Sequence, residues 1–352
     1  MKKILVTGGA GYIGSHTIVD MVNNGYDVIS VDNFSNAKPQ ALTGIQQIIG
    51  KPIKNYDIDL CDMEATRKVF AEHPDLKGVI HFAAFALVGE SVEHPIRYYR
   101  NNLYSLLNVL DAMQEFNVSN LIFSSSCSVY GNPDQLPVTE ATPMGEAESP
   151  YARTKQMGEH IIRDIIHQES PLQSIILRYF NPAGSHESAK IGEDPLHPST
   201  HLVPIIMETA VGKRAEMKVF GNDYNTRDGS CIRDYIHIMD LAHAHTLAMQ
   251  YLVNQQNNHN VETFNLGIGE GVTVLEAIQA FEQVTGQPLN YKIGDRRPGD
   301  VEAIYANNDQ AAQMLGWQPQ YGIQDIIRTA WQWEQAGKFD QFIDVIIWSL
   351  SA

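Results

Sequence analysis

Tyr151 and Lys155 stand four residues apart in the segment SPYARTK, and a triple serine, Ser124-Ser125-Ser126, precedes them at the end of an apolar run starting near Leu121. Ser149 can cap a helix whose first turn holds Pro150, which sets Tyr151 and Lys155 at i and i+4 on one face. A phenol ionises near pH 10 and is a poor base at neutral pH, but a neighbouring ammonium favours the phenolate. Lowering that pKa to about 7 takes about 3 units, or roughly 4 kcal/mol, which two close cations in a dry cleft can supply. The phenolate can then take the proton of a carbinol as hydride leaves its carbon, while the Ser126 hydroxyl holds the same oxygen and guides the proton. Tyr151, Lys155 and Ser126 are therefore the candidate catalytic residues. Taken singly each has an ordinary explanation, because Tyr and Lys often sit one turn apart on helix surfaces and a serine run often just closes a strand.

Such chemistry needs a hydride acceptor, and the N-terminus offers a place for one. The run Ile4 to Val6 leads straight into Gly8-Gly9-Ala10-Gly11-Tyr12-Ile13-Gly14, followed by the amphipathic SHTIVDMVNNG. Both G-x-G-x-x-G (Gly9, Gly11, Gly14) and G-x-x-G-x-x-G (Gly8, Gly11, Gly14) are present. Missing side chains let a pyrophosphate approach the backbone, and the helix N-terminus supplies N–H groups and a favourable dipole. A second strand ends at Asp32, eighteen residues past Gly14. A carboxylate there accepts both ribose hydroxyls of an adenosine and repels a 2′-phosphate, which predicts NAD rather than NADP. The nicotinamide ring is then the hydride acceptor and the second cation. Asp59, closing a third run, suits either the adenine edge or an ordinary strand end.

The elements that must carry these residues follow from alternation. Short β-branched runs recur at Ile4 to Val6, Asp27 to Val31, Ile53 to Asp59, Val79 to Ala83, Leu121 to Ser124 and Ser174 to Phe180, separated by crossover helices such as Gly14 to Asn23 and Asn101 to Phe116. This predicts an α/β fold, a doubly wound parallel Rossmann sheet with a smaller C-terminal α/β substrate domain. The expected division is 1–180 for dinucleotide binding and 181–352 for substrate, because beyond Asn181 the texture turns to Pro, Gly, His and Asn. A helix at Asp240 to Tyr251 and a strand at Thr263 to Leu266 suggest that the chain re-enters the first lobe around 235–265.

With 25 basic against 41 acidic residues the net charge is −16, which argues against nucleic acid and anionic membranes as partners. Cys61, Cys127 and Cys231 form neither a disulfide framework nor a zinc motif, so a cytoplasmic, reducing location is expected. The apolar start of MKKILVTGG is too short for a signal peptide, and the FIDVIIWSL tail falls far below the roughly 20 residues of a membrane span, reading instead as a docked terminal element or subunit contact. No metal is expected: His197 and His201 have ligand-like spacing, but Pro198 breaks the helix such a pair needs.

The pieces VTGGAGYIGSH, HFAAFALVGESV, FSSSCSVYG, SPYARTK, RYFNPAGSH, FGNDYNTRDGSCIRDYIHIMDLA and RRPGD together resemble the extended short-chain dehydrogenase/reductases, and among them the UDP-glucose 4-epimerase family, up to about Trp333. The resemblance implies a UDP-hexose bound between the lobes, oxidised at C4 to a ketone, turned about its diphosphate linkage and reduced on the other face by a tightly held NAD. It makes Tyr151 the base, Ser126 its assistant and Lys155 a ribose ligand. It places Gly8, Gly11, Tyr12, Ile13, Gly14, Asp32, Asn33, Asp59, Leu60, Phe82, Ala83, Ala84, Asn101 and Tyr179 on the cofactor. It gives Asn181, Arg233 and Arg297 the diphosphate, Leu202 and Phe220 the uracil, and Asp300 its ribose. A homodimer serving galactose metabolism is implied as well. Two positions depart from many relatives. Ala86 replaces a lysine that contacts the cofactor phosphate, and Ile304 is intermediate between the bulky and small residues that exclude or admit N-acetylated sugars, leaning towards UDP-glucose and UDP-galactose. The rival 4,6-dehydratases carry an Asp-Glu pair where this chain has Cys127-Ser128, so the acid that expels water is missing. Epimerases of UDP-GlcNAc, UDP-pentoses or UDP-uronates stay open as alternatives. A non-catalytic NAD-binding scaffold does not account for the intact Ser126, Tyr151 and Lys155.

Overall fold

The computed structural model describes residues 1–167, 169–297 and 300–342, so the FIDVIIWSL tail beyond Phe342 and the middle of RRPGD lie outside the described residues. The first half alternates β1 (Lys3–Thr7), α1 (Tyr12–Asn23), β2 (Asp27–Val31), α2 (Gln40–Ile49), β3 (Asn55–Tyr56), α3 (Met63–Glu72), β4 (Leu76–His81), α4 (Val88–Glu93), α5 (Pro95–Glu115), β5 (Asn120–Ser126), α6 (Pro150–Ile165) and β6 (Gln173–Tyr179). The second half contains β7 (Asn181–Ala183), α7 (Leu202–Ala210), β8 (Met217–Phe220), β9 (Ile232–Arg233), β10 (Tyr235–His237), α8 (Ile238–Val253) and β11 (Val261–Leu266). It continues with β12 (Val272–Thr273), α9 (Val274–Thr285), β13 (Tyr291–Gly294), β14 (Ala303–Ile304), α10 (Asp309–Leu315) and α11 (Ile323–Gln335).

Seven strands form one parallel sheet in the order β11-β6-β5-β4-β1-β2-β3. Alternate residues of each strand enter opposite cores. Ile4, Val6, Val28, Ile80, Ile122, Ile175 and Leu177 pack with α1, α2 and α8, while Leu5, Ile29, Val79, Leu121, Phe123 and Ile176 pack with α3, α5 and α6. Both faces are covered, which is why these strands read as nearly unbroken apolar runs. The doubly wound parallel sheet anticipated from the sequence is present, and its strand order reverses between β1 and β4. That reversal opens a crevice at the C-terminal ends of the strands, where ligands bind in this architecture.

One expected strand is shorter than its pattern. Of the run Ile53 to Asp59 only Asn55 and Tyr56 join the ladder. β3 is the sheet's edge, paired with β2 alone, and its two residues are only half-buried, so it gains neither the second row of hydrogen bonds nor the full burial that lengthen the central strands.

Beyond Asn181 the chain builds a smaller layered unit and also returns to the main sheet. β8 pairs with β13, β9 lies between β12 and β14, and α7, α9 and α11 bury a separate core around Ile206, Phe281 and Ile326. β11 then lies beside β6 in the main sheet, and α8 packs on α1.

Candidate active site

α6 starts where its cap dictates. Ser149 Oγ accepts the Ala152 N–H at 3.1 Å and Pro150 occupies the first turn, which fixes the pitch of the face carrying Tyr151 and Lys155. Lys155 is buried and its Nζ donates to the Ser124 carbonyl at 2.6 Å, 5.8 Å from the centre of the Tyr151 ring and 5.3 Å from that of Phe123. The serine run at the end of β5 is fully engaged. Ser124 Oγ pairs with the Tyr179 hydroxyl, Ser125 Oγ donates to Glu159 at 2.6 Å, and Ser126 Oγ accepts the Ser128 N–H at 3.2 Å.

The chain alone sets the starting point from which the two cations must act. Burial pushes the Tyr151 phenol up to about 12, against a smaller downward pull from the Ser126 hydroxyl, and burial lowers Lys155 to about 8, with Glu159 opposing. The expected fall of Tyr151 to about 7 is therefore not produced by this chain's own cation. The cause is geometric: the ammonium is committed to the Ser124 carbonyl, and the dry wall penalises both charged forms.

The glycine loop suits a pyrophosphate. Gly8 adopts φ +67°, and a Cβ on Gly14 would lie 2.1 Å from the Gly8 carbonyl oxygen. Gly11 stands at the N-cap of α1 without a side chain to compete for the first-turn N–H groups. Asp32 is buried at the end of β2, where burial raises its pKa and the N–H groups of Phe34 and Ala10, each at 2.9 Å, pull it back. Each carboxylate oxygen accepts one of these bonds, so lone pairs remain for a ribose. Asp59 Oδ1 accepts the Cys61 N–H at 2.8 Å, and the Tyr12 hydroxyl donates to the Gly184 carbonyl at 2.6 Å. These residues fit an NAD pyrophosphate and adenosine.

At the other group of candidates, Arg233 and Arg297 converge on one carboxylate. Arg297 Nη2 donates to Asp300 Oδ1 at 2.6 Å, and Arg233 Nη2 lies 3.7 Å from the same oxygen while its Nη1 holds the Val301 carbonyl at 2.7 Å. The Arg297 guanidinium lies 5.5 Å from the centre of the Phe220 ring, which is partly exposed. Asn181 Oδ1 is buried without a hydrogen-bond partner among the described residues.

The structure brings all the residues assigned above to NAD, catalysis and the UDP-hexose to the wall of one cleft of about 1510 Å³, with Ala86 and Ile304 on the same wall. A single small-molecule pocket usually encloses about 300–1,000 Å³, so this cleft has room for two nucleotide-sized ligands. Other lining residues were not legible in the sequence. Lys38, after β2, and Asp194, after β7, meet at 2.7 Å across the cleft. Neither belongs to a motif, and 156 residues separate them. Cys127 also lines the cleft, its thiol pushed up to about 12 by burial.

Comparison with known proteins agrees with this geometry. The family described as GDP-mannose 4,6 dehydratase matches residues 5–330. UDP-glucose 4-epimerase of Bacillus subtilis (strain 168) is 44% identical over 333 residues, covering 95% of this chain and 97% of that protein. The structure of UDP-glucose 4-epimerase from Bifidobacterium longum in complex with NAD+ and UDP superposes with a TM-score of 0.90 at 46% identity, over 95% of this chain and 98% of that one. That of UDP-glucose-4-epimerase from Stenotrophomonas maltophila with bound NAD and formylated UDP-arabinopyranose gives 0.92 at 41% identity, over 96% and 99%.

Proposed function

Because the chain belongs to the UDP-glucose 4-epimerase family, we propose that it interconverts UDP-galactose and UDP-glucose by oxidising the sugar's C4 carbinol to a ketone and reducing it with the opposite configuration. The observation that carries this reading is the meeting of Tyr151, Ser126 and Lys155 on one cleft wall with the α1 glycine loop and the Arg233-Asp300-Arg297 cluster. When bound, NAD would supply the hydride acceptor and donor and, in its oxidised form, a second positive charge.

The chain's own groups then divide the work. Tyr151 Oη takes and returns the C4 hydroxyl proton, with Ser126 Oγ as relay. Lys155 holds β5 through Ser124 and would hold the nicotinamide ribose. Asn181, Arg233 and Arg297 hold the diphosphate, a task suited to planar guanidinium groups, while Leu202 and Phe220 flank the uracil and Asp300 takes its ribose. Firm contacts at the UDP end and few at the hexose let the ketone turn over while the nucleotide stays in place. Loss of water, the dehydratase outcome, needs an acid beside Tyr151. Cys127, a thiol held protonated, and Ser128 stand there instead.

We read residues 1–180 as the NAD-binding part and 181–352 as the UDP-sugar part, with α8 and β11 returned to the first. A cytoplasmic homodimer acting in galactose metabolism is our proposal. In its support, α5 exposes Ile96, Tyr104 and Leu107 and the neighbouring α6 exposes Met157, an apolar face that a second copy could cover. No described helix is long and apolar enough to cross a membrane.

The deciding experiment gives purified protein UDP-galactose without added cofactor. UDP-glucose should accumulate with no free NADH, whereas steady NADH release would make the protein a dehydrogenase. Sugar choice is tested at Ile304, which lines the cleft, is 6% exposed and belongs to the apolar cluster of Val129, Tyr130 and Phe180. UDP-GlcNAc should be a poor substrate, and Ile304→Gly should raise its kcat/KM relative to UDP-galactose by about 10-fold or more, the size of effect expected from freeing a few methylenes of pocket. An unchanged ratio would remove Ile304 as the selector.

A further inference from the structure

The helix face of Tyr151 and Lys155 continues one turn on to Glu159, whose side chain is completely buried. Arg178 of β6 donates to it twice, Nε to Oε1 at 2.9 Å and Nη2 to Oε2 at 2.6 Å, and Ser125 of β5 donates to Oε1 at 2.6 Å. Arg178 Nη1 goes on to the Tyr130 hydroxyl at 3.0 Å, which in turn donates to Asn265 of β11 at 2.6 Å. Ser125 and Arg178 are ladder partners, and the next rung is Ser126 with Tyr179. One carboxylate thus ties together the three elements that carry Tyr151, Lys155, Ser126 and Tyr179.

Stability alone is a weak reason for such a pair, since burying two charges costs nearly what their attraction returns. Its placement relative to Lys155 gives a better one. Without bound cofactor Tyr151 on α6 is a neutral phenol, His81 of β4 is held uncharged by burial with its pKa down to about 3, and Tyr179 of β6 is kept neutral by burial. Arg178 is already engaged by Glu159, and Arg163, also on α6, lies 4.0 Å from the same carboxylate. Glu159 is the group that opposes the loss of charge which burial imposes on Lys155.

We propose that Glu159 is a positioning residue of the epimerase reaction: its buried carboxylate is the counter-charge of the Lys155 ammonium and the clamp that holds β5 and β6 in register behind Ser126 and Tyr179. This rests on the roles given above to Tyr151 and Lys155. The test is Glu159→Gln, which keeps shape and a hydrogen-bond acceptor but removes the charge. Two readouts are followed, the rate of epimerisation against pH and the titration of isotope-labelled Lys155 by NMR in the cofactor-loaded protein. Without Glu159 the ammonium loses its proton more easily. The Lys155 midpoint and the alkaline limb of the rate should therefore both move to lower pH by on the order of one unit, with KM for UDP-galactose little changed. Arg178→Lys, which keeps the charge but loses the paired contact, should lower Tm and leave the limb in place. Should Glu159→Gln alone fail to fold, Glu159→Gln with Arg178→Met removes the stranded guanidinium, and a downward shift smaller than that of the single variant is expected, because the repulsion from Arg178 is lost with the attraction of Glu159. An unmoved limb and midpoint in the charge-removing variant, or an equal shift in Arg178→Lys, overturns the proposal. A wild-type protein that does not epimerise UDP-galactose refutes the functional reading instead, while the Lys155 titration still decides the role of Glu159.

Discussion

Tyr151→Phe should leave NAD bound and the fold intact while epimerisation of UDP-galactose falls by about 10²–10⁴-fold, the range covered by one well-placed acid–base group. The ring stays to pack against the cleft wall, and only Oη is lost. The structure sharpens this expectation, because burial, opposed only in part by the Ser126 hydroxyl, pushes the phenol up to about 12. Bringing it to 7 takes about five units, or roughly 7 kcal/mol. Lys155, itself lowered to about 8 and bonded to the Ser124 carbonyl, is not positioned to provide all of it. Since a close positive charge shifts a phenol by about 1–3 units, the phenol should become acidic only when the cofactor's charge is added to that of Lys155. Tyrosinate absorbance should therefore appear near neutral pH in the loaded protein, be missing there in cofactor-free protein, and vanish in Tyr151→Phe. The sign follows from the direction of the shift. A raised pKa keeps the proton on, so activity should rise with pH through the loaded value and fall again where Lys155 loses its charge. Activity of Tyr151→Phe within threefold of wild type would remove the phenol from the chemistry.

How much of this was legible beforehand depends on whether the cause was local. The glycine loop is readable because each constraint acts within a few residues, as the contact of Gly14 with Gly8 shows. The central strands are readable because burial on both faces forces apolar residues at nearly every position. The cap at Ser149 and the spacing of Tyr151 and Lys155 are properties of one helical turn. What stayed hidden is what depends on packing between distant segments. The sequence shows that Lys155 is near Tyr151 but not that it turns to Ser124, so the direction of the phenol's shift in the chain alone could not be foreseen. Glu159 reads as an ordinary surface glutamate until Arg178 is folded against it, and Lys38 and Asp194 become neighbours only across the cleft. The run Ile53 to Asp59 has strand composition, but its place at the sheet edge is a property of the whole topology.

Gly14→Ala should yield protein that has lost its NAD and is destabilised, although the change adds a single methyl. That methyl would lie 2.1 Å from the Gly8 carbonyl oxygen and 2.8 Å from the Gly9 Cα, and both are backbone atoms of the loop itself. No side chain can rotate away, so α1 must move off the loop. Forced overpacking of this kind costs about 1–3 kcal/mol, or roughly a few degrees of Tm in a chain this long. The displacement falls on the N-terminal turn that would face the pyrophosphate, so cofactor retention should suffer more than stability. Gly9→Ala is the informative contrast. Its methyl would meet Ser30 Oγ at 2.2 Å and Ile18 Cδ1 at 2.9 Å, which are side-chain atoms. Trimming one of them, as Gly9→Ala with Ser30→Gly, should recover most of the bound cofactor, measured by absorbance after gel filtration. No comparable second change can rescue Gly14→Ala, because what it strikes is the loop backbone. A Gly14→Ala protein that keeps its full complement of NAD would mean that the turn between β1 and α1 is not the dinucleotide's cradle, and the cofactor would have to be sought elsewhere along the cleft.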